Sequence, residues 1–244
     1  MDGGGSIHTV AVLKRSGPTQ SERGPPPALD LCDRGRGRLV AAGPPVSDAR
    51  FSNLFARDAW ASLPEAVRRR FSVQMAPGEA KHYAGEIIET RLSFAGRCLA
   101  HLARLVGAPL PLAEATSGHA LTTVQEAPAC GGQIWTRMYA RGRRMPQVIQ
   151  TVKRFSGPTG LEEYLGYGLL MRLTSRVEDR ALVFRSAGYA VEIAGRALRV
   201  PPWLAPGDCT ITHRDLGGGE FRFELVLEHP VLGVLIRQSA RFRD

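Results

Sequence analysis

The fold is decided by a stretch near the carboxyl terminus, Phe221-Arg222-Phe223-Glu224-Leu225-Val226-Leu227-Glu228-His229-Pro230-Val231-Leu232-Gly233. Alternate residues of its first half are apolar, and the residues between them include Arg222, Glu224 and Glu228. Because successive side chains of a strand point to opposite faces, this pattern predicts a strand with one buried face and one wetter face. The corner from Pro230 to Gly233 then leads into a further strand. The stretch therefore indicates a domain built on paired β-strands, and it gives no information about a catalytic activity.

The same period of two runs from residue 119 to the end of the chain, which predicts a series of short strands. Their predicted bounds are Ala120–Glu126, Gln133–Arg141, Gln147–Phe155, Leu161–Tyr167, Leu169–Glu178, Ala181–Ser186, Tyr189–Ile193, Asp208–Asp215, Glu220–His229 and Leu232–Phe242. The links between them are too short for helical crossovers, so we expect an antiparallel meander. So many consecutive strands are expected to curl into a barrel or half-barrel.

Residues 50–110 are expected to be helical. Pro64 stands at the start of one short helix, where a first-turn proline is favoured. A stronger helix is predicted over 94–106, with an apolar face formed by Cys98, Leu99, Leu102, Leu105 and Val106. The predicted fold class is therefore α+β, with N-terminal helices packed on a curved antiparallel sheet of half-barrel or barrel-like form.

Two regions of different composition are expected along the 244 residues. Residues 1–47 are rich in Gly, Pro and Arg and poor in large apolar side chains, which is typical of a disordered tail. Residues 48–244 are expected to form a single domain, because a segment of that length can bury a hydrophobic core of its own.

The formal net charge of +9 is typical of proteins that bind nucleic acid or an anionic membrane. The basic residues are almost all Arg and form only short clusters, such as Arg68–Arg70 and Arg141–Arg144, among acidic and apolar residues. This distribution favours a solvated basic surface over a dedicated polyanion site, and it gives no strong nucleic-acid signal.

The spacing of the cysteines and the hydropathy pattern indicate in which cellular compartment the protein is located. The four cysteines are far apart and lack metal or redox spacing, which favours a reducing environment. No apolar run reaches the length of a transmembrane segment, and the apolar residues near the N-terminus are too few for a secretory signal. We therefore expect a cytoplasmic protein without a transmembrane segment.

Catalytic and metal-binding motifs are weak in this sequence. The run His213-Arg214-Asp215-Leu216 matches the opening of a kinase catalytic loop, but glycines 217–219 follow it directly and favour a hairpin. Cys98 and His101 are one helical turn apart, and no second ligand pair completes a metal site. No nucleotide-binding or nucleophile motif occurs. The sequence therefore predicts no catalytic residue, no metal and no cofactor, and it leaves open whether the protein is an enzyme.

Segments in a characteristic order carry a family resemblance over residues 51 to about 240. They are Phe51-Ser52-Asn53-Leu54-Phe55, Trp60 to Arg68, Leu102 to Pro109, Trp135-Thr136-Arg137-Met138-Tyr139, Glu163-Tyr164-Leu165-Gly166, Pro202 to Pro206 and Phe221 to Gly233. In these segments the chain resembles the bacterial domain-of-unknown-function family 4166. Phe71 stands where the family usually has a His, and Arg237-Gln238-Ser239 stands where it tends to have Tyr-x-Gly. Because members of that family also occur attached to reductase-like dinucleotide-binding domains, the resemblance implies an oxidoreductase partner.

Four residues are candidates for a ligand-binding site. Trp135, Arg137 and Tyr139 share one strand face, and Glu163 follows two strands later, where a short meander can bring it close. An Arg and a Glu among aromatic side chains can orient a ligand through charge-assisted hydrogen bonds. The same residues can instead form a structural cross-strand ion pair under Trp135, which is the more common arrangement.

Three interpretations of function follow. The favoured one is an accessory domain that binds an apolar or amphipathic small molecule inside its curved sheet. The second is an enzyme or enzyme subunit that acts beside a reductase-like partner, with Glu163 and Arg137 at the substrate. The third is binding to an anionic surface through the Arg clusters.

Overall fold

The computed structural model describes residues 46–76, 78–105, 107, 110–112, 118–142 and 144–244. The tail expected over residues 1–47 lies outside the described residues, apart from Val46 and Ser47, which form the first short strand. The rest of the single domain expected over 48–244 is described except at a few short gaps.

The described residues form three α-helices and thirteen β-strands. The helices are α1 (Arg57–Ser62), α2 (Glu65–Phe71) and α3 (Phe94–Leu105). The strands are β1 (Val46–Ser47), β2 (Val73–Gln74), β3 (Ala80–Leu92), β4 (Gly118–Ala127), β5 (Gly132–Arg141), β6 (Arg144–Arg154), β7 (Glu162–Gly166), β8 (Leu169–Glu178), β9 (Ala181–Ile193), β10 (Arg196–Arg199), β11 (Asp208–Gly217), β12 (Glu220–His229) and β13 (Gly233–Arg243).

Ten of these strands form a closed antiparallel barrel. The order around it is β9-β11-β12-β13-β3-β4-β5-β6-β7-β8, and β8 pairs again with β9 to close the ring. Strand β10 pairs with β9 outside the ring, and β1 and β2 form a separate small pair. The predicted curved antiparallel sheet is confirmed, but the class needs correction, because the molecule is mostly β with few helices rather than α+β.

The largest error of the sequence reasoning is β3, which lies inside the region expected to be helical. Tyr83 and Ile87 are buried in this strand, and their spacing of four residues also fits one turn of a helix. The pairing of β3 with β13 shifts register between the partners of Ile87 and Glu89. This β-bulge changes which side chains face the interior, so that Thr90 and Leu92 become buried.

The other strand predictions agree well with the structure. The bounds of β8 and β12 coincide with the predicted ones, and the hairpin expected after His213 is formed by β11 and β12. The two strands expected over 181–186 and 189–193 are one strand, β9, with an irregularity opposite residues 171–173 of β8. Strand β10 was not predicted.

The two ends of the barrel differ. The end that holds α1 and α2, here called the base, is filled by aromatic rings. Phe51 lies 4.9 Å from Phe71 and 4.8 Å from Phe155 between ring centroids, and Phe71 stacks on Trp135 at 6.1 Å. The opposite end, here called the mouth, holds α3 and the turn of residues 202–204. Space for a ligand therefore has to lie towards the mouth.

Helix α3 packs against β13 through small residues, which corrects its predicted apolar face. Gly96, Ala100 and Ala103 are buried, whereas Leu102 and Leu105 are 61% and 79% exposed. A Cβ atom on Gly96 would lie 2.0 Å from the Leu235 carbonyl oxygen, so this close approach requires glycine. The spacing of apolar residues correctly predicts the helix. It does not predict the buried face, because that face is formed by small residues that let the helix lie close to the backbone of β13.

The state of one cysteine departs from the reducing environment that the sequence favours. Cys98 is an exposed free thiol and Cys209 a buried one. Cys130, in the turn between β4 and β5, is disulfide-bonded.

Candidate functional site

A cavity of about 490 Å³ occupies the half of the barrel that faces the mouth. Its wall is mainly apolar and includes Leu165, Met171, Ile211, Leu225 and Leu227 from the strands. Ligand pockets in proteins commonly measure about 300–1,000 Å³ and have such apolar walls with a few polar groups. The cavity therefore has the size and the lining of a small-molecule site.

The cavity reaches the protein surface near α3. Leu102 of α3 and Leu204 of the 202–204 turn both line it, and these residues are 61% and 63% exposed. The wall of the cavity formed by α3 and this turn therefore lies next to solvent, on the side away from the aromatic base.

The floor of the cavity is polar, and three of its residues lie on neighbouring strands. Arg137 (β5), Thr151 (β6) and Glu163 (β7) line the cavity, and Lys153 (β6) bonds to Glu163 beside them. We call these four residues the charged cluster. Lys153 lies directly opposite Glu163 in the antiparallel register, and inward-facing residues alternate along β6, so Thr151 and Lys153 share a face.

The contacts within the charged cluster are short. Lys153 Nζ donates to Glu163 Oε2 at 2.6 Å, and Thr151 Oγ1 donates to Glu163 Oε1 at 2.6 Å. Arg137 Nη1 donates to Thr151 Oγ1 at 3.3 Å, and Arg137 Nη2 lies 3.7 Å from Glu163 Oε1, beyond hydrogen-bond distance. Both carboxylate oxygens are thus engaged by groups other than Arg137.

The electrostatics keep Glu163 ionised. Burial alone would raise its pKa, but the charges of Lys153 and Arg137 and the hydrogen bonds from Lys153 and Thr151 lower the pKa to about 2. Burial lowers the pKa of Lys153, and the charge of Glu163 counteracts this effect. Burial and the nearby Glu163 charge raise the pKa of the Cys209 thiol to about 12. A carboxylate with so low a pKa is a poor general base near neutral pH.

The four residues singled out in the sequence lie on both sides of this floor. Arg137, Tyr139 and Glu163 line the large cavity, whereas Trp135 lines a second cavity of about 30 Å³ at the base. Arg137 and Tyr139 border both cavities, and the guanidinium carbon of Arg137 lies 5.9 Å from the Trp135 ring centroid and 5.6 Å from that of Phe223. Trp135 Nε1 is buried without a hydrogen-bond partner among the described residues.

Lys153 and Thr151 were missed by the sequence reasoning. The sequence does contain a feature that distinguishes Lys153: it is one of only three lysines among the 32 Lys and Arg residues of the chain. It also alternates with Thr151 and Ile149 along one face of a strand next to Arg137.

The base contains its own buried polar group. Arg70 pairs with Asp215 at 3.0 Å and with Asp244 at 2.8 Å, and its guanidinium lies 4.4 Å from the Phe221 ring centroid. His213 stacks on Phe221 at 4.5 Å, and burial and the Arg70 charge lower its pKa to about 3. One member of the Arg68–Arg70 cluster is therefore an internal structural residue rather than part of a surface patch.

The chain belongs to a family without an assigned activity. The model of a domain of unknown function, DUF4166, matches residues 63–242, which is most of the chain. A search of curated proteins gives no match.

Two further properties concern the described residues only. They contain no cluster of three or more His, Cys, Asp or Glu side chains suited to a metal ion. None of their helices combines the length and the apolar character needed to cross a membrane.

Proposed function

We propose that this chain is a module that binds one small apolar or amphipathic molecule inside its barrel. The observation that carries the proposal is the cavity of about 490 Å³, which has an apolar wall, a charged floor and a side at α3 that lies next to solvent. Small barrels either fill their interior with side chains or enclose a ligand. Here the base is filled and the half near the mouth is not.

The volume sets the size of the ligand. A cavity of about 150 Å³ lined by Leu, Ile and Phe holds one benzene molecule, so a space about three times larger suits a molecule of about 20 non-hydrogen atoms. The apolar wall favours a flexible or flat hydrocarbon body, because burial of apolar surface stabilises it by about 25 cal/mol per Å².

The module is proposed to be accessory rather than catalytic. Glu163 is not free to act as a base, because its two oxygens accept hydrogen bonds from Lys153 and Thr151 and its pKa is lowered to about 2. An oxidoreductase partner belongs to the same proposal and is motivated by the family resemblance, whereas the disulfide at Cys130 removes the cysteine argument for a cytoplasmic location.

The test is a titration of the full chain with Nile red, a neutral apolar fluorophore. We expect saturable binding of one dye per chain. The variant Leu225→Trp, which fills the cavity from β12, should abolish binding. The matched control Val226→Trp, on the opposite face of the same strand, should leave binding intact. Weak, non-saturable binding, or equal binding by both variants, would contradict the proposal.

A further inference from the structure

Arg137 is buried at the floor of the cavity with most of its hydrogen-bonding capacity unused. Its side chain is 10% exposed, and within the described part of the chain one guanidinium N–H group donates, to Thr151 Oγ1 at 3.3 Å. The remaining N–H groups have no acceptor among the described residues. A guanidinium is always charged and cannot satisfy these donors by losing a proton. Because Arg137 lines the cavity, an acceptor for these donors can come from a molecule bound there.

The charges around Arg137 do not balance. With Lys153 held protonated by its 2.6 Å contact with Glu163, the charged cluster holds two cations, Arg137 and Lys153, and one carboxylate, which leaves one positive charge in excess. Glu163 is closer to Lys153, at 2.6 Å, than to Arg137, at 3.7 Å. Among the described residues that line the cavity, Glu163 is the only acidic one. The unbalanced charge therefore lies on the guanidinium that faces the cavity.

Two aromatic rings lie beside the guanidinium group of Arg137. The guanidinium carbon lies within 6 Å of the ring centroids of Trp135 and Phe223, at 5.9 Å and 5.6 Å. Aromatic neighbours on a planar cation leave its edge available, and that edge matches the two oxygens of a carboxylate. A buried charge that is not paired is costly, so a bound anion at this edge would stabilise both partners.

We infer that the ligand of the cavity is an amphiphile with a single carboxylate head, which accepts hydrogen bonds from Arg137 while its hydrocarbon tail fills the apolar space towards α3. The inference rests on the proposed function and specifies its ligand class. One negative charge balances the cluster, whereas a neutral head would leave the excess charge and a cationic head would increase it. A long-chain carboxylic acid has both the required charge and the size that the cavity accepts.

The experiment compares head groups on one tail. Tetradecanoic acid, tetradecanol and tetradecylammonium displace Nile red from the full chain at pH 8, the two ionic compounds below their critical micelle concentrations and the alcohol below its solubility limit. We expect the acid to bind about 10- to 100-fold more tightly than the alcohol, the range that a charge-assisted hydrogen-bonded contact contributes. The ammonium compound should bind most weakly.

Two variants test whether Arg137 is the residue that causes the preference for the acid over the alcohol. Arg137→Met removes the charge from the floor, and the acid-to-alcohol ratio should fall to within about threefold of one. Arg154→Met is the matched control, because Arg154 lies on neighbouring β6, pairs with Glu192 at 3.0 Å and does not line the cavity. Its ratio should equal that of the wild type. In addition, the pKa of bound tetradecanoic acid, followed by the ¹³C chemical shift of its labelled carboxyl group, should be lower than that of the free acid. A neighbouring cation favours the charged form of the carboxyl group.

The outcomes separate the inference from the proposed function. Equal binding of acid and alcohol by the wild type would overturn the carboxylate inference and leave the binding module intact. A preference that survives in Arg137→Met would also overturn it. If no probe and no Nile red bind, both proposals fail. The wild-type ratio decides the question by itself, so the test stands even when the Arg137 variant does not fold.

Discussion

Replacing Glu163 with Gln should destabilise the protein strongly. The carboxylate is 3% exposed and bonds to Lys153, which is also 3% exposed. Loss of one partner of a buried ion pair costs about 3–5 kcal/mol, because the other charge stays buried and unpaired. The pKa of Glu163 supports this range, since the step from an ordinary 4.5 to about 2 in the folded protein corresponds to about 3 kcal/mol.

The pH dependence has a defined sign. The pKa of Glu163 is lower in the folded state, so its contribution to stability is complete above the ordinary value of 4.5 and is lost as the pH falls towards 2. The amide introduced by Glu163→Gln does not titrate and has no such contribution to lose. The difference in unfolding free energy between the wild type and Glu163→Gln should therefore shrink by about 1 kcal/mol from pH 7 to pH 4.

Thermal and urea unfolding followed by circular dichroism measure this prediction. The melting temperature of Glu163→Gln should fall by about 10 °C at pH 7, because 1 kcal/mol shifts a domain of this size by about 2–4 °C. The double variant Lys153→Met, Glu163→Gln should recover part of the loss, since it removes the unpaired ammonium group. A single variant that melts within about 2 °C of the wild type would refute the structural role of the pair. It would then leave Glu163 available for the chemistry that the enzyme alternative requires.

Two further predictions concern the base and α3. His213 has a pKa of about 3 in the folded protein against an ordinary 6.5, so the unfolded chain binds the extra proton and stability falls by about 1.4 kcal/mol per pH unit from pH 6 to pH 4. His213→Gln should flatten this slope in urea unfolding and exposed His101→Gln should not, and equal slopes would contradict the assignment. Gly96→Ala should lower stability by about 1–3 kcal/mol despite the better helix propensity of Ala, because its Cβ would meet the Leu235 carbonyl oxygen at 2.0 Å. A rise in melting temperature, relative to the exposed control Cys98→Ala on the same helix, would show that the close approach is absent.

Strands with one buried and one exposed face could be predicted from the sequence. In β12 the residues that alternate with Arg222, Glu224 and Glu228 are all large and apolar, so the period of two is unambiguous and its bounds were predicted correctly. In β3 the period is broken by Gly85 and by the bulge near Ile88, and the same residues also fit a helical turn. Local pattern could not decide that segment, because its conformation is fixed by pairing with β13 and β4, which are distant in sequence.

Closure of the barrel was predictable only as a tendency. Many short antiparallel strands favour curling, but closure depends on the pairing of β13 with β3, the last and first strands of the ring in chain order, and on the β-bulge that adjusts their register. These are properties of the assembled sheet. No residue pattern within one strand encodes them.

The site was predictable where strand alternation determines it. Arg137 and Tyr139 face the interior as their spacing required, and Glu163 lies 3.7 Å from Arg137 because the connections of the meander are short. Trp135 shares that face but lies beyond Arg137, at the base, where Phe71 stacks on it. The role of Lys153 depends on the register between β6 and β7, which the sequence alone does not give.

The central claim is that the interior of the barrel holds one ligand. The most direct test is native mass spectrometry of the full chain purified from its own host, followed by organic extraction of the released material. The account predicts a single stoichiometric adduct that extracts into organic solvent as an acid, and no adduct on Leu225→Trp. A clean unliganded mass for the wild type, together with no uptake of added tetradecanoic acid, would contradict it.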